Sequence, residues 1–181
     1  MTNTILGLNG DDSIYGKELA DNLYGGSGDD YLKGDYGDDY LFGGAGQDDL
    51  RGFEDDDVLN GGAGEDDLRG GTGADNFLFY GDDAFVFDPN DAVTDIDRII
   101  DFSVSEGDTI SLVDLLFGYD PVSDDINDFI TLTETTHTSI NVDRDGQGTD
   151  YTAQQIIRVE NITGQWLDVD DMISQGHLSV A

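Results

Sequence analysis

The chain has 181 residues and sets 41 acidic side chains against 7 basic ones, a formal net charge of −34. A polyanion of this kind repels nucleic acid and anionic lipid headgroups and attracts cations. With no cysteine it has neither a disulfide framework nor a thiolate metal centre, and no apolar run approaches the ~20 residues that span a bilayer. Only 37% of the residues are hydrophobic, so the self-repulsion points to disorder unless a multivalent cation supplies counter-charge. Met1 to Asn9 lacks the basic start and apolar stretch of a cleavable signal, so none is expected there.

Residues 7–78 divide into eight nine-residue units. Each opens on glycine (Gly7, Gly16, Gly25, Gly34, Gly43, Gly52, Gly61, Gly70). Each has aspartate at its sixth position (Asp12, Asp21, Asp30, Asp39, Asp48, Asp57, Asp66, Asp75) and an apolar residue two places later (Ile14, Leu23, Leu32, Leu41, Leu50, Leu59, Leu68, Phe77). A flexible acidic linker has no need of phased leucines. The second position departs from glycine at Leu8, Lys17, Asp35 and Phe53, and the fourth at Leu19 and Asp55. Units two and six are therefore expected to form the weakest turns, and one edge to bind less regularly. The pattern G-G-x-G-x-D-x-U-x, with U apolar, resembles the RTX nonapeptide repeat, a calcium-binding β-helix motif.

That resemblance implies an all-β fold: a right-handed parallel β-roll over 7–78, then a β-rich domain with short helices over 79–181. In a six-residue turn plus three-residue strand, the central apolar residue faces inward and its neighbours outward. Two units make one coil. Asp12, Asp30, Asp48 and Asp66 then form one column, and Asp21, Asp39, Asp57 and Asp75 the other, at the ~4.8 Å spacing of stacked strands. Carboxylates so close resist common ionisation. Calcium accepts 6–8 oxygens in flexible geometry, whereas magnesium demands a tight octahedron. The expected ligands are Asp carboxylates from successive turns and carbonyls of the opening positions, including Gly25, Gly28, Gly34, Gly37, Gly43, Gly46, Gly52, Gly61, Gly64, Gly70 and Gly73. Three gaps per edge predict about six complete sites. Glycine is expected where carbonyls converge, because it adopts backbone angles closed to other residues.

The outward positions differ between the two sets of units. Odd units present Ser13, Tyr15, Tyr31, Lys33, Asp49, Arg51, Asp67 and Arg69, whose opposite charges can pair across strands. Even units present Tyr24, Tyr40, Phe42, Val58 and Leu78 beside Asn22, Asn60 and Asn76. Such an apolar face predicts an interface, either with residues 79–181 or with a second chain.

Beyond the repeats, strands are expected at 77–80, 85–87, 98–102, 108–112, 130–134, 139–142 and 155–159. A short helix is expected at 113–117 and a helical turn at 169–174, with Asp168 as its cap. The segments Asp97-Arg98-Ile99-Ile100-Asp101-Phe102 and Gly107-Asp108-Thr109-Ile110-Ser111-Leu112 resemble the stretch that follows RTX repeats in serralysin-type proteases and alginate epimerase modules. That likeness implies that Asp101 and Asp108 help to cap the roll with calcium. Asp143-Arg144-Asp145-Gly146 is no EF-hand, because Thr152 stands where the loop would need its bidentate acid. A β-hairpin tip is expected there instead.

Leu112–Leu116, Ser139–Gly146 and the ending Asp171–Ala181 resemble the C-terminal target domain of type I secretion substrates, large RTX adhesins among them. No HExxH, GxSxG or phosphate-binding loop is present, and a non-enzyme is expected. The resemblance implies a secreted or cell-surface, calcium-dependent folding and export module. Its partners would be calcium and the type I secretion machinery, without nucleic acid or membrane insertion. The alternatives are an accessory polysaccharide-binding module of a secreted hydrolase or epimerase, with Tyr15 and Tyr31 as candidate platform, and a calcium-dependent self-association domain.

Overall fold

A computed structural model describes residues 2–80, 96–113, 125–134, 137–142, 154–160 and 169–180. The expected strand at 85–87, the Asp143–Gly146 tip and the Asp168 cap lie outside these residues. The nine-residue phase produces strands β1 (Thr4–Asn9), β2 (Ser13–Glu18), β3 (Asn22–Ser27), β4 (Tyr31–Tyr36), β5 (Tyr40–Ala45), β6 (Asp49–Glu54), β7 (Val58–Ala63), β8 (Asp67–Thr72) and β9 (Asn76–Tyr80). After them come β10 (Asp97–Ile99), β11 (Thr109–Val113), β12 (Ile130–Glu134), β13 (His137–Val142), β14 (Gln154–Glu160), helix α1 (Val169–Gln175) and β15 (Leu178–Val180). A 3₁₀ turn spans Ile126–Asp128, with the Asp125 side chain accepting from the Asn127 N–H.

Two sheets form, and they sort the units by parity. One runs β1-β3-β5-β7-β9-β11-β15, the other β12-β13-β14-β10-β8-β6-β4-β2. Within the repeats all pairing is parallel, with Leu23 opposite Leu41 and Leu32 opposite Leu50. The fold is a mostly β parallel solenoid of about four turns. The strands are longer than the expected three residues, because each runs on into the opening positions of the next unit. Gly26, for example, pairs with Gly44, and Ser27 with Ala45.

Between the sheets stands one file of side chains. Leu23, Leu32, Leu41, Leu50, Leu59, Leu68 and Phe77 are wholly buried, each at 0% exposure. Every such residue contributes about 1.5–3 kcal/mol by leaving water. Alternation does the sorting: in β4 Leu32 and Gly34 point in, while Tyr31 and Lys33 are half-exposed. The file continues past the repeats through Ile99, Ile110 and Leu178.

The turns show where backbone conformation matters. Second and fourth positions lie at positive φ, as at Gly26 (119°) and Gly28 (123°). The six departures from glycine take the same conformation: Leu8 at 85°, Lys17 at 85°, Leu19 at 74°, Asp35 at 81°, Phe53 at 91° and Asp55 at 78°. For an L-residue this costs roughly 1–2 kcal/mol. Units two and six each carry two of these residues, as the sequence pattern implied. The ladder nevertheless keeps register there, with Lys17 opposite Asp35 and Phe53 opposite Gly71. The departures leave strain in the turn and no bulge.

The second half stacks on the end of the roll. β10 pairs in parallel with β8, placing Ile99 opposite Leu68, and β11 pairs with β9, placing Ile110 opposite Phe77. The two segments flanking residues 105–107 thus enter different sheets and make a further, irregular coil. Val113, expected to open a helix, closes β11 instead. Among the described residues, then, 79–181 extends both sheets end to end, where the apolar even face had suggested a cover across it. On that face Tyr24, Tyr40, Phe42, Val58 and Leu78 are half-buried. Tyr24 packs at 5.9 Å from Tyr40 and 6.2 Å from Phe42, ring centre to ring centre. On the odd face Arg51 pairs with Asp49 at 2.7 Å and Arg69 reaches across to Asp49 at 2.9 Å.

Leu8 is 66% exposed, so its side chain has little burial to lose. Leu8→Gly should stabilise the calcium-loaded chain by up to about 1 kcal/mol through relief of the left-handed backbone. Leu50→Ala should destabilise it by about 2–5 kcal/mol. Denaturant midpoints of both variants in saturating calcium check these outcomes.

Candidate metal centre

The repeat aspartates do two jobs at once. One carboxylate oxygen, Oδ1, accepts the backbone N–H of the aspartate one coil earlier. Asp30 accepts from Asp12 at 2.7 Å, Asp39 from Asp21 at 2.7 Å, Asp48 from Asp30 at 2.8 Å and Asp57 from Asp39 at 2.8 Å. Asp66 accepts from Asp48 at 2.8 Å and Asp75 from Asp57 at 2.9 Å. These bonds fix each carboxylate and leave its second oxygen for other work. Oδ2 of Asp12, Asp21, Asp30, Asp39, Asp48, Asp57 and Asp75 is buried and has no hydrogen-bond partner. A buried unsatisfied acceptor costs about 1–3 kcal/mol, and more when charged.

The opening glycine of each unit lies directly under that oxygen. A methyl group on Gly7 would stand 2.5 Å from the Gly25 carbonyl oxygen and 2.6 Å from Asp12 Oδ2. The same overlap with the unit's own Asp Oδ2 and the next coil's carbonyl recurs at Gly25, Gly34, Gly43 and Gly52. At Gly61 and Gly70 the nearest obstacles are the carboxylates of Asp66 and Asp75. These first-position glycines lack the left-handed φ of their neighbours. The expectation that unusual backbone angles require them is corrected: they are required by the close approach of two oxygens.

Main-chain oxygens reach the same gap from the other side. The carbonyls of Gly26, Gly28, Gly44 and Gly46 sit against the glycine one coil later. Between the second and third coils the odd edge brings Asp30 Oδ2 and the Gly43 carbonyl together over Gly25, while the carbonyls of Gly26 and Gly28 face Gly44 and Gly46 on the next coil. Among the described residues no three acidic or histidine side chains converge on a point. A cation here would take one free carboxylate oxygen with several carbonyls, a donor set suited to a hard ion that tolerates irregular oxygen cages. Of the glycines in the expected set, the carbonyls of Gly25, Gly34, Gly43, Gly52, Gly61 and Gly70 lie over the opening glycine one coil earlier, and those of Gly28 and Gly46 against the fourth-position glycine one coil later. Gly37, Gly64 and Gly73 hold the fourth-position turn at φ 113°, 132° and 132°.

Burial raises the proton affinity of these carboxyls. Asp57 is pushed up to about 8, first by desolvation and then by the charges of Asp75, Asp39 and Asp38; the Asp39 N–H pulls the other way. Asp75 is raised to about 7, with Asp108 and Asp101 adding to desolvation. Asp39 and Asp48 are raised to about 6, again mainly by burial. The column holds negative charge badly by itself.

A second, outer ladder runs in the opposite direction. Asp29 N–H donates to Asp11 Oδ1 at 3.0 Å, Gln47 N–H to Asp29 Oδ1 at 2.9 Å, and Ala74 N–H to Asp56 Oδ1 at 2.8 Å. Fifth-position acids thus stitch the turns together on the solvent side.

The even column begins before the eight units, and both columns end after them. Asn3 stands nine residues before Asp12, and its N–H and Nδ2 donate to Asp21 Oδ1 at 2.7 and 2.8 Å. At the other end Asp97 Oδ1 accepts from the Asp66 N–H at 2.9 Å, and Asp108 Oδ1 from the Asp75 N–H at 3.0 Å. Asp97 was absent from the expected set, although Asp97-Arg98-Ile99 repeats the D-x-U signature. Its spacing from Asp66 conceals the phase. Of the two expected capping residues, Asp108 continues the even ladder, with Oδ2 accepting from the Ser103 N–H at 2.7 Å. Asp101 lies beside the ladder and accepts from the Gly70 N–H at 3.0 Å.

A family model for the RTX calcium-binding nonapeptide repeat matches residues 2–18, 15–50 and 47–77. Residues 2–77 are RTX calcium-binding repeats. The start of the match at residue 2 agrees with Asn3 occupying a ladder position, so the RTX segment is one half-coil longer than the run of aspartates. RTX repeats bind calcium, and the buried oxygens, the glycine cradles and the carbonyl-rich gaps fit that ion. No curated protein matches the chain in sequence. Among solved structures, the solution structure of the AlgE6R3 subunit from the Azotobacter vinelandii mannuronan C5-epimerase is similar at 24% identity, with a TM-score of 0.43, covering 91% of this chain and 78% of that one.

Two outcomes follow from this chemistry. An unfolded aspartate titrates near 3.9, below the folded values of about 6 to 8. Below about pH 4 both states are protonated and nothing is lost. As pH rises toward 8 the unfolded chain releases protons that the metal-free roll retains, so metal-free stability falls. In chelator, β structure followed by circular dichroism should therefore increase on acidification from pH 8 to about pH 4.5. Calcium affinity should weaken over the same range. Separately, Gly43→Ala should place a methyl group onto Asp48 Oδ2 and the Gly61 carbonyl, lowering calcium affinity at least about tenfold by calorimetry.

Proposed function

We propose that this chain is a calcium-dependent folding and export module, the C-terminal region of a type I secreted RTX protein such as a large adhesin. The supporting observation is the pair of carboxylate columns with buried Oδ2 atoms, unpartnered at Asp12, Asp21, Asp30, Asp39, Asp48, Asp57 and Asp75, in a chain of net charge −34. Bound calcium supplies positive charge and coordination to those oxygens. Without it the columns repel and the repeats favour the unfolded, threadable state. Extracellular modules bind with dissociation constants of about 10⁻⁴–10⁻³ M, so folding would begin where calcium is abundant and binding free energy becomes folding free energy. Three gaps on each edge of the roll accommodate about six ions on this coordination rule.

On this reading the protein is non-catalytic, its stations are the secretion machinery and then the cell exterior, and the last residues from Val169 carry the export information. Calcium titration followed by circular dichroism should show a cooperative gain of β structure, reversed by chelator. An unchanged spectrum would defeat the proposal. Deleting residues 169–181 should abolish export from a cell carrying a type I system; full export of the truncated chain would remove the signal assignment.

A second reading, an accessory polysaccharide-binding module, draws on Tyr15 and Tyr31. Their rings lie 5.9 Å apart on the odd face, and Tyr15 is 48% exposed. Arg51 stands over the Tyr31 ring at 5.2 Å. Glycan binding by the calcium-loaded chain that vanishes in Tyr15→Ala would favour it.

A further inference from the structure

The two columns end in different places. The odd column passes from Asp66 to Asp97, and so to β10, β14, β13 and β12. The even column passes from Asp75 to Asp108, and so to β11 and then β15. Among the described residues β15 is the last strand of its sheet and pairs with β11 alone.

Asp108 is the joint between column and tail. Its Oδ1 takes the Asp75 N–H at 3.0 Å and its Oδ2 the Ser103 N–H at 2.7 Å. Its backbone carbonyl lies 2.7 Å from Nδ1 of His177. His177 is 8% exposed and stacks edge-on against Phe102 at 6.2 Å, while Phe102 packs on Phe77 at 6.0 Å. From His177 the chain enters β15: the Ile110 N–H donates to the His177 carbonyl at 2.8 Å, and Leu178, opposite Ile110, is buried. α1 is tied to the same point, since the His177 N–H donates to the Met172 carbonyl at 2.8 Å and Met172 is fully buried. The last orphaned oxygen of the even column, Asp75 Oδ2, lies one hydrogen bond from Asp108.

We infer that the last calcium position of the even column, at Asp75, latches the C-terminal tail into the sheet through Asp108 and His177, whereas the odd column orders the antiparallel strands β12–β14. The tail becomes the seventh strand of the even sheet only when that position is filled. This inference rests on the calcium reading of the columns and not on export. In the export setting it means that the segment carrying the signal is withdrawn into the fold by the ion that completes folding.

Hydrogen exchange of the full chain, resolved by mass spectrometry in chelator and in saturating calcium chloride, tests the latch. In the wild type, calcium should slow exchange in 176–180 together with 109–113 by at least about tenfold. Asp75→Asn keeps an Oδ1 acceptor for the Asp57 N–H but replaces the free oxygen. It should remove that protection from the tail while β12–β14 keep theirs. Asp66→Asn should do the reverse. His177→Ala, outside the columns, should free the tail while calcium protection of β2–β8 persists. Loosening of both ends by either aspartate variant, or an unchanged tail in Asp75→Asn or His177→Ala, would overturn the latch. No calcium-dependent protection anywhere in the wild type would overturn both the latch and the calcium reading. Protection of the roll with an unprotected tail would overturn the latch alone.

Discussion

One constraint governs the molecule: every repeat carboxylate from Asp21 to Asp75 is held by a backbone N–H from the coil before it and is left with one oxygen buried. The first half of that statement gives the roll its stacking register, because the bond from Asp30 N–H to Asp48 Oδ1 can form only between neighbouring coils. The second half makes the stack electrostatically incomplete. The opening glycines follow from it, since a side chain at Gly43 would occupy the space the Asp48 carboxylate needs. So does the raised proton affinity of Asp57 and Asp75. Protons can quieten these groups at low pH, whereas calcium quietens them where they are ionised.

The apolar file is too thin to hold such a structure unaided. One buried residue per nine, as at Leu32, Leu41 and Leu50, contributes a few kcal/mol per coil. Backbone ordering costs about 1–2 kcal/mol for every residue fixed. Six left-handed residues that are not glycine add strain. On the proposed reading the solenoid stands on its cation, and folding and metal binding become one equilibrium.

The second half uses the same logic in a less regular form. Asp97-Arg98-Ile99 and Asp108-Thr109-Ile110 reproduce the carboxylate-then-core pattern and continue both ladders. They give the columns ends at which Ser103 N–H completes the Asp108 carboxylate. Because the columns are parallel and separate, they end on different strands, β12–β14 for one and β15 for the other, with α1 lying against both β12 and β15.

The repeat half was legible from residue identity alone. Period nine fixes which residues face inward, which sheet each unit joins and which aspartates align, because a regular solenoid turns sequence offset directly into position in space. Even the left-handed turn residues were marked, as departures from glycine at the second and fourth positions. Three things depended on tertiary structure. Asn3 and Asp97 belong to the columns although one is not an acid and the other stands outside the nine-residue phase, so only register could place them. The division of labour between Oδ1 and Oδ2 depends on how closely two coils approach. The entry of β10 and β11 into different sheets, and of the C-terminal strand beside β11, was settled by which sheet edges remained unpaired at the end of the roll, a property of the stack that no local segment contains.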